Sequence, residues 1–176
     1  MTTPGDRITL NELNRLDEAA FTRALGEIFE HSPWVAAGAW CERPFADIGA
    51  LHRAMAGRVL AAPRERRLAL LRSHPELAGR EARDGALTAR STAEQSGAGL
   101  DALSRNEALR IAELNAEYRA RFGFPFIIAV KNYTKRGILR ELERRVAGDP
   151  KAEFDAGVRQ VCEIGLIRLE EMLGGT

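Results

Sequence analysis

Only one stretch of this 176-residue chain has the unbroken apolar character of a strand: Phe124-Pro125-Phe126-Ile127-Ile128-Ala129-Val130. No second run is available to pair with it. A lone strand leaves its backbone N–H and C=O groups without a ladder, so the segment is expected to be a buried extended loop. The rest must then be helical, and the apolar spacing agrees. Ile111, Leu114, Tyr118 and Phe122 recur every three or four residues, with Gly123 as a stop. Leu13, Leu16, Phe21, Leu25 and Phe29 populate an early helix, and Ile138, Leu139 and Leu142 begin a later one that is charged on its far side.

Helix start signals punctuate the chain. Thr9 with Glu12, Ser91 with Glu94, and Ser104 with Glu107 have capping-box spacing. Ser32-Pro33 and Asp149-Pro150 place a capping side chain before a proline suited to the first helical position, and Pro63 can open another helix. Residues 76–91, with Gly79 and Gly85, predict a helix plus a loop. The expectation is an all-α fold: one compact domain over 1–176, its core about 10–173, built from about seven or eight short helices.

Charge excludes some functions. With 26 basic and 25 acidic residues the net charge is +1, whereas a nucleic-acid or membrane-surface binder needs a concentrated basic patch. Arg64, Arg66 and Arg67 are interrupted by Glu65 and read as a solvated helix face. Cys41 and Cys162 form no CxxC pair and are expected to be buried free thiols in a reducing compartment. No apolar run approaches the ~18 residues of a membrane span, and the first residues lack the pattern of a signal peptide. A cytoplasmic protein is expected.

Three side chains stand out chemically. His74 precedes Pro75, which pushes it out of the helical region and lets its imidazole project from a turn; the alternative is a histidine capping a helix C-terminus. Glu94 either completes a capping box with Ser91 or faces a pocket beside Gln95. Arg168 continues the apolar stripe Phe154, Val158, Val161, Gly165 of the last helix, with Met172 beyond it. A guanidinium there needs a carboxylate, from a ligand or from a residue such as Glu94, unless it snorkels to solvent. His31 and His52 read as structural, and the three histidines have no metal-binding spacing, so no metal is expected.

Four motifs then occur in order: Glu30-His31-Ser32-Pro33-Trp34-Val35, Ser73-His74-Pro75-Glu76-Leu77, Ser91-Thr92-Ala93-Glu94-Gln95-Ser96-Gly97-Ala98-Gly99-Leu100, and Phe122-Gly123-Phe124-Pro125-Phe126-Ile127. With Ile167-Arg168-Leu169 in the closing helix, the chain resembles the OHCU decarboxylase family, whose substrate is 2-oxo-4-hydroxy-4-carboxy-5-ureidoimidazoline. The resemblance implies an all-α homodimer that needs no cofactor and acts as a carboxy-lyase in urate breakdown to (S)-allantoin. It implies a catalytic pair, His74 and Glu94. Pro75, Ser91, Gln95 and Arg168 would line the substrate site, and backbone groups of Phe124, Phe126, Ile127 and Ile128 would hold the ring's amide edges. No fused transthyretin-like hydrolase domain and no C-terminal peroxisomal signal is evident, so decarboxylation alone, in a bacterial cytoplasm, is expected. Two rival readings remain: a hydrolase or lyase acting on another ureido acid, and a helical interaction module in which His74 and Arg168 are structural.

Overall fold

The computed structural model describes residues 8–79, 82 and 84–174. Among the described residues there are nine α-helices and no strand. In chain order they are α1 Leu10–Leu13, α2 Glu18–Leu25, α3 Trp34–Ala39, α4 Ile48–Ala61, α5 Arg64–Ser73, α6 Ala89–Gly97, α7 Arg105–Phe122, α8 Lys135–Val146 and α9 Pro150–Leu173, with 3-10 turns at Trp40–Glu42 and Val130–Asn132. The expected all-α class holds. The helices outnumber the expectation partly because the early apolar stripe belongs to two of them. The Asp17 carboxylate accepts the Ala20 N–H and starts a new helix, so the stripe breaks between Leu13 and Phe21.

The capping signals divide. Thr9 with Glu12 and Ser104 with Glu107 form complete boxes, and Asp149 accepts the Ala152 N–H at the head of α9. Pro63 precedes α5, and its carbonyl accepts the N–H groups of Arg66 and Arg67. Gly123 ends α7 at φ +79, the left-handed conformation that favours glycine. Ser32, in contrast, makes no side-chain cap: Pro33 is itself the N-cap of α3, and the Val35 N–H goes to the Ser32 backbone carbonyl. Ser91 with Glu94 is no capping box either. Thr88 caps α6, its hydroxyl accepting the Ser91 N–H, which places Ser91 and Glu94 inside the helix. Within 76–91 the described Ala82 is helical, turns lie on either side of it, and α6 starts at Ala89; Arg80, Glu81 and Arg83 lie outside the described residues.

The described chain falls into two compact units. One takes the chain up to Leu70 and again from Cys162; the other runs Leu71–Val161. In the first, Leu13, Phe21, Leu25, Val35, Leu51, Met55 and Val59 are fully buried. Arg43 stitches its loops, donating to the carbonyls of Asn14 (2.9 Å), Leu16 (2.7 Å) and Trp40 (2.8 Å) while lying over the Trp40 ring. Cys41 is exposed on the 3-10 turn, against expectation: its side chain lies at a helix end and not within an apolar face. Cys162 is partly buried, and burial pushes its thiol up to about 11. The second unit is built around aromatic rings. Tyr118 meets Phe122, Phe124 and Phe126 with centroids 4.5, 5.9 and 5.5 Å away, and Phe154 meets Phe124 edge-on. Gly157 admits close packing here, since a Cβ would lie 3.3 Å from Leu71 and 3.4 Å from Phe124. No described helix is long and apolar enough to cross a membrane.

Bonds to Thr9 and Ser104 hold the capping carboxylates of Glu12 and Glu107 below the ordinary value of 4.5. A lowered folded-state value means their contribution is present above about pH 4.5 and is lost as pH falls through the lowered value. Glu107→Gln is therefore expected to reduce the melting temperature at pH 7 and to flatten its decline below pH 4.5. Melting curves of both proteins from pH 3 to 7 check this; parallel curves would contradict it.

Candidate active site

Arg168 lies in the first unit and is 1% exposed, which removes snorkelling. Its Nη1 donates to the Glu30 carboxylate at 2.9 Å and to the carbonyls of Ile28 (3.2 Å) and Glu27 (3.4 Å). The partner is thus Glu30, 138 residues away, and both side chains are 2% exposed. Glu30 belongs to the motif before Pro33, but nothing in helical spacing links it to Arg168. Gly165, one turn earlier, lets Phe29 approach; a Cβ there would lie 2.8 Å from the Phe29 ring. The same packing that seats Phe29 brings its neighbour Glu30 under the guanidinium. The His52 Nε2–H donates to the Cys162 carbonyl, 2.8 Å away, a structural contact. His31 is exposed in a turn at φ +48.

The remaining candidates lie in the second unit. His74 follows the last residue of α5, with its N–H bonded to the Leu71 carbonyl at 3.3 Å, and is 7% exposed with Nε2 buried. Pro75 then blocks continuation of the helix. The backbone after it is held by side chains at three points. Gln95 Oε1 accepts the Ala78 N–H at 2.9 Å, Gln95 Nε2 reaches the Glu76 carbonyl at 3.5 Å, and Asn115 Nδ2 donates to the Leu77 carbonyl at 2.8 Å. Ala78 has φ +49, a costly conformation for a residue with a side chain, so this turn persists because its surroundings fix it. Gln95 therefore has a positioning job beside any contact with a ligand. Asn115, 2% exposed on α7, was not among the expected residues. An Asn on the buried stripe between Leu114 and Tyr118 was the available signal.

Ser91, Glu94 and Gln95 share one face of α6, at the helical spacings of three and four residues. Ser91 is 3% exposed and accepts from the Thr88 hydroxyl at 3.1 Å; Glu94 is partly buried. Because Thr88 is the cap, Glu94 lies inside α6 and not at its start. A hollow of about 440 Å³ also opens in this unit, lined by Thr92, Gln95 and Ser96 of α6 with Leu100, Leu103 and Ala108 among its apolar walls. His74 and Glu94 are not part of its lining.

Residues 124–130 are buried throughout, as expected; 124–129 belong to no helix or strand, and Val130 begins a 3-10 turn. Two side chains occupy part of their backbone. Arg145 Nη1 donates to the Ile127 carbonyl at 2.9 Å, and Gln160 Oε1 accepts the Ala129 N–H at 2.8 Å. The backbone N–H groups of Phe126, Ile127 and Ile128 find no acceptor among the described residues. Buried amide donors of this kind suit a ligand bearing carbonyl oxygens. Among the described residues no group of three or more His, Cys, Asp and Glu is placed to hold a metal ion.

Residues 14–170 match the OHCU decarboxylase family. The chain is 44% identical over 164 residues to the 2-oxo-4-hydroxy-4-carboxy-5-ureidoimidazoline decarboxylase of Haloferax volcanii, covering 93% of this chain and 95% of that one. It is 39% identical over 163 residues to the mouse protein of the same description, covering 93% and 92%. Its fold is similar to the crystal structure of an (S)-allantoin synthase, with a TM-score of 0.74, 31% identity and coverage of 94% of this chain; the match spans 54% of that longer chain.

Breaking the Arg168–Glu30 pair from one side leaves a buried charge without compensation, at a cost of about 3–5 kcal/mol. Glu30→Leu is expected to be destabilised by that much in urea unfolding. The double variant Glu30→Leu/Arg168→Met should recover most of the loss. A double variant no more stable than the single one would contradict the pairing.

Proposed function

This chain belongs to the OHCU decarboxylase family, and we propose that it decarboxylates 2-oxo-4-hydroxy-4-carboxy-5-ureidoimidazoline to (S)-allantoin in urate degradation. The substrate needs no external electron sink. The carbon that carries the carboxylate also carries a hydroxyl and neighbours a ring C=N. As carbon dioxide leaves, the electron pair of the broken bond moves into that imine, whose nitrogen takes up a proton. The hydroxyl then loses its proton to become a carbonyl, and the ureido-bearing carbon gains one. The protein's tasks are to orient the carboxylate, to stabilise the enol-like species and to deliver the proton to one face.

The observation that carries this reading is the placement of His74. Its side chain is 7% exposed, and the backbone just after it is held by Gln95 at Ala78 and by Asn115 at Leu77, which supports a fixed place for this residue in the reaction. His74 takes the hydroxyl proton. Glu94, on the same face of α6 as Ser91 and Gln95, holds the ureido or ring N–H groups. Ser91, Pro75 and Gln95 complete the polar lining, and the amides of residues 126–128 donate to ring carbonyl oxygens. Arg168 takes a substrate oxygen. Its charge is already shared with Glu30, and too tight a salt bridge to a substrate carboxylate would hold the ground state and slow the reaction. The same reading makes the protein a cytoplasmic homodimer with a small-molecule substrate and neither nucleic acid nor membrane as partner; the near-balanced charge, +1, supports the last point.

His74→Ala is expected to fold and to lose about 10²- to 10⁴-fold in turnover, and Glu94→Gln to lose activity with the fold intact. Freshly generated substrate, followed by the circular dichroism of the allantoin formed, measures both rate and handedness. Racemic product at the spontaneous rate from the unmodified protein would favour a hydrolase or lyase acting on another ureido acid. Unchanged turnover in His74→Ala would overturn the assignment of that residue.

A further inference from the structure

A cluster of charged and polar side chains in the second unit takes no part in the chemistry above, yet is among the most deeply buried. Arg145 is 4% exposed, Glu153 6% and Tyr118 0%. Arg145 Nε donates to Glu153 Oε2 at 2.9 Å, and the Tyr118 hydroxyl donates to the same oxygen at 2.8 Å. Arg145 Nη2 reaches the Tyr118 oxygen at 3.5 Å, and Nη1 donates to the Ile127 carbonyl at 2.9 Å. The guanidinium also lies over the Phe126 ring, 4.6 Å from its centroid. Gly148 leaves the space that Glu153 fills: a Cβ there would lie 2.9 Å from its Oε1. Burial pushes the Tyr118 phenol above its ordinary value, so it stays protonated and donates.

An ion pair alone does not explain this arrangement. Replacing such a pair by apolar side chains of similar volume is often neutral or stabilising, so its retention calls for another role. The contact to residues 126–127 supplies one. That segment has no sheet to set its backbone angles, and Arg145 touches two successive residues of it, one through the carbonyl and one through the ring. Using up the Ile127 carbonyl also removes an acceptor from a stretch whose neighbouring amides are donors. The segment is thereby biased toward ligands that present carbonyl oxygens.

We propose that Arg145, oriented by Glu153 and Tyr118, is a positioning residue that fixes residues 124–129 in the geometry in which their backbone amides receive the substrate. The proposal rests on the functional reading above for the identity of the ligand, but the anchoring of the segment can be measured without it. Arg145→Met alone leaves Glu153 buried without its partner and can fail to fold. The informative protein is the double variant Arg145→Met/Glu153→Leu, in which both charges are gone, with Arg145→Lys as the conservative comparison.

Amide hydrogen exchange in the unliganded proteins is the first readout. The double variant is expected to exchange the amides of residues 126–129 about tenfold faster than the unmodified protein, with α4 unchanged. Steady-state kinetics is the second: KM is expected to rise about tenfold while kcat changes far less, because His74 is untouched. Arg145→Lys keeps one donor for the Ile127 carbonyl but loses the fork that also grips Glu153, and should fall between the two. Unaltered exchange at residues 126–129 in a folded double variant would overturn the proposal, as would unaltered KM alongside normal turnover. If the unmodified protein does not turn over the substrate, the functional reading fails, and the exchange measurement alone decides the anchor.

Discussion

Residues 124–130 are a buried stretch of backbone with no strand to pair with, and much of the second unit is arranged around that fact. Peptide groups withdrawn from water need partners of some kind. Here side chains from two helices provide them, Arg145 of α8 at the Ile127 carbonyl and Gln160 of α9 at the Ala129 amide. The rings of Phe124 and Phe126 meanwhile complete the cluster around Tyr118. The segment is thus held by polar anchors and aromatic packing together, with Arg145 lying over the Phe126 ring. Beside these anchors the amides of Phe126, Ile127 and Ile128 find no acceptor among the described residues.

The two units solve a similar problem by the same means. Each buries an arginine within its apolar packing and neutralises it with a glutamate, Arg168 with Glu30 in one and Arg145 with Glu153 in the other. In both, the guanidinium also donates to backbone carbonyls of non-helical or helix-terminal chain, Glu27 and Ile28 in the first case and Ile127 in the second. A planar fork with several fixed donors suits this task better than a lysine, which offers a point charge. Charge neutralisation and backbone positioning are therefore the work of a single side chain in each unit.

The turn after His74 shows a neutral version of the same strategy. Gln95 and Asn115 are amides that bond to the backbone of residues 76–78, and they hold Ala78 in a conformation that a free chain would avoid. Proline excludes the helix, and the amides choose among the conformations left. In the proposed reaction, a backbone held in this way next to His74 would limit the freedom lost when a substrate binds.

The amino-acid order alone determined the helical class, the buried loop at residues 124–130, the caps at Thr9, Ser104 and Asp149, the stop at Gly123 and the anomaly at Arg168. These are local properties: periodicity, capping chemistry and glycine's freedom act over a few residues. Ser91 with Glu94 shows where local reasoning stops, because Thr88, three residues earlier, competed for the same helix start and won. Only the tertiary structure decided that Arg168 pairs with Glu30, that Asn115 and Gln95 hold the turn after His74, and that Arg145 grips the buried segment. Arg145 did carry a sequence signal, since it continues the stripe of Ile138 and Leu142 along α8, but its partners did not. Which carboxylate or carbonyl neutralises a buried guanidinium depends on how distant helices pack, and no periodicity within one helix encodes that.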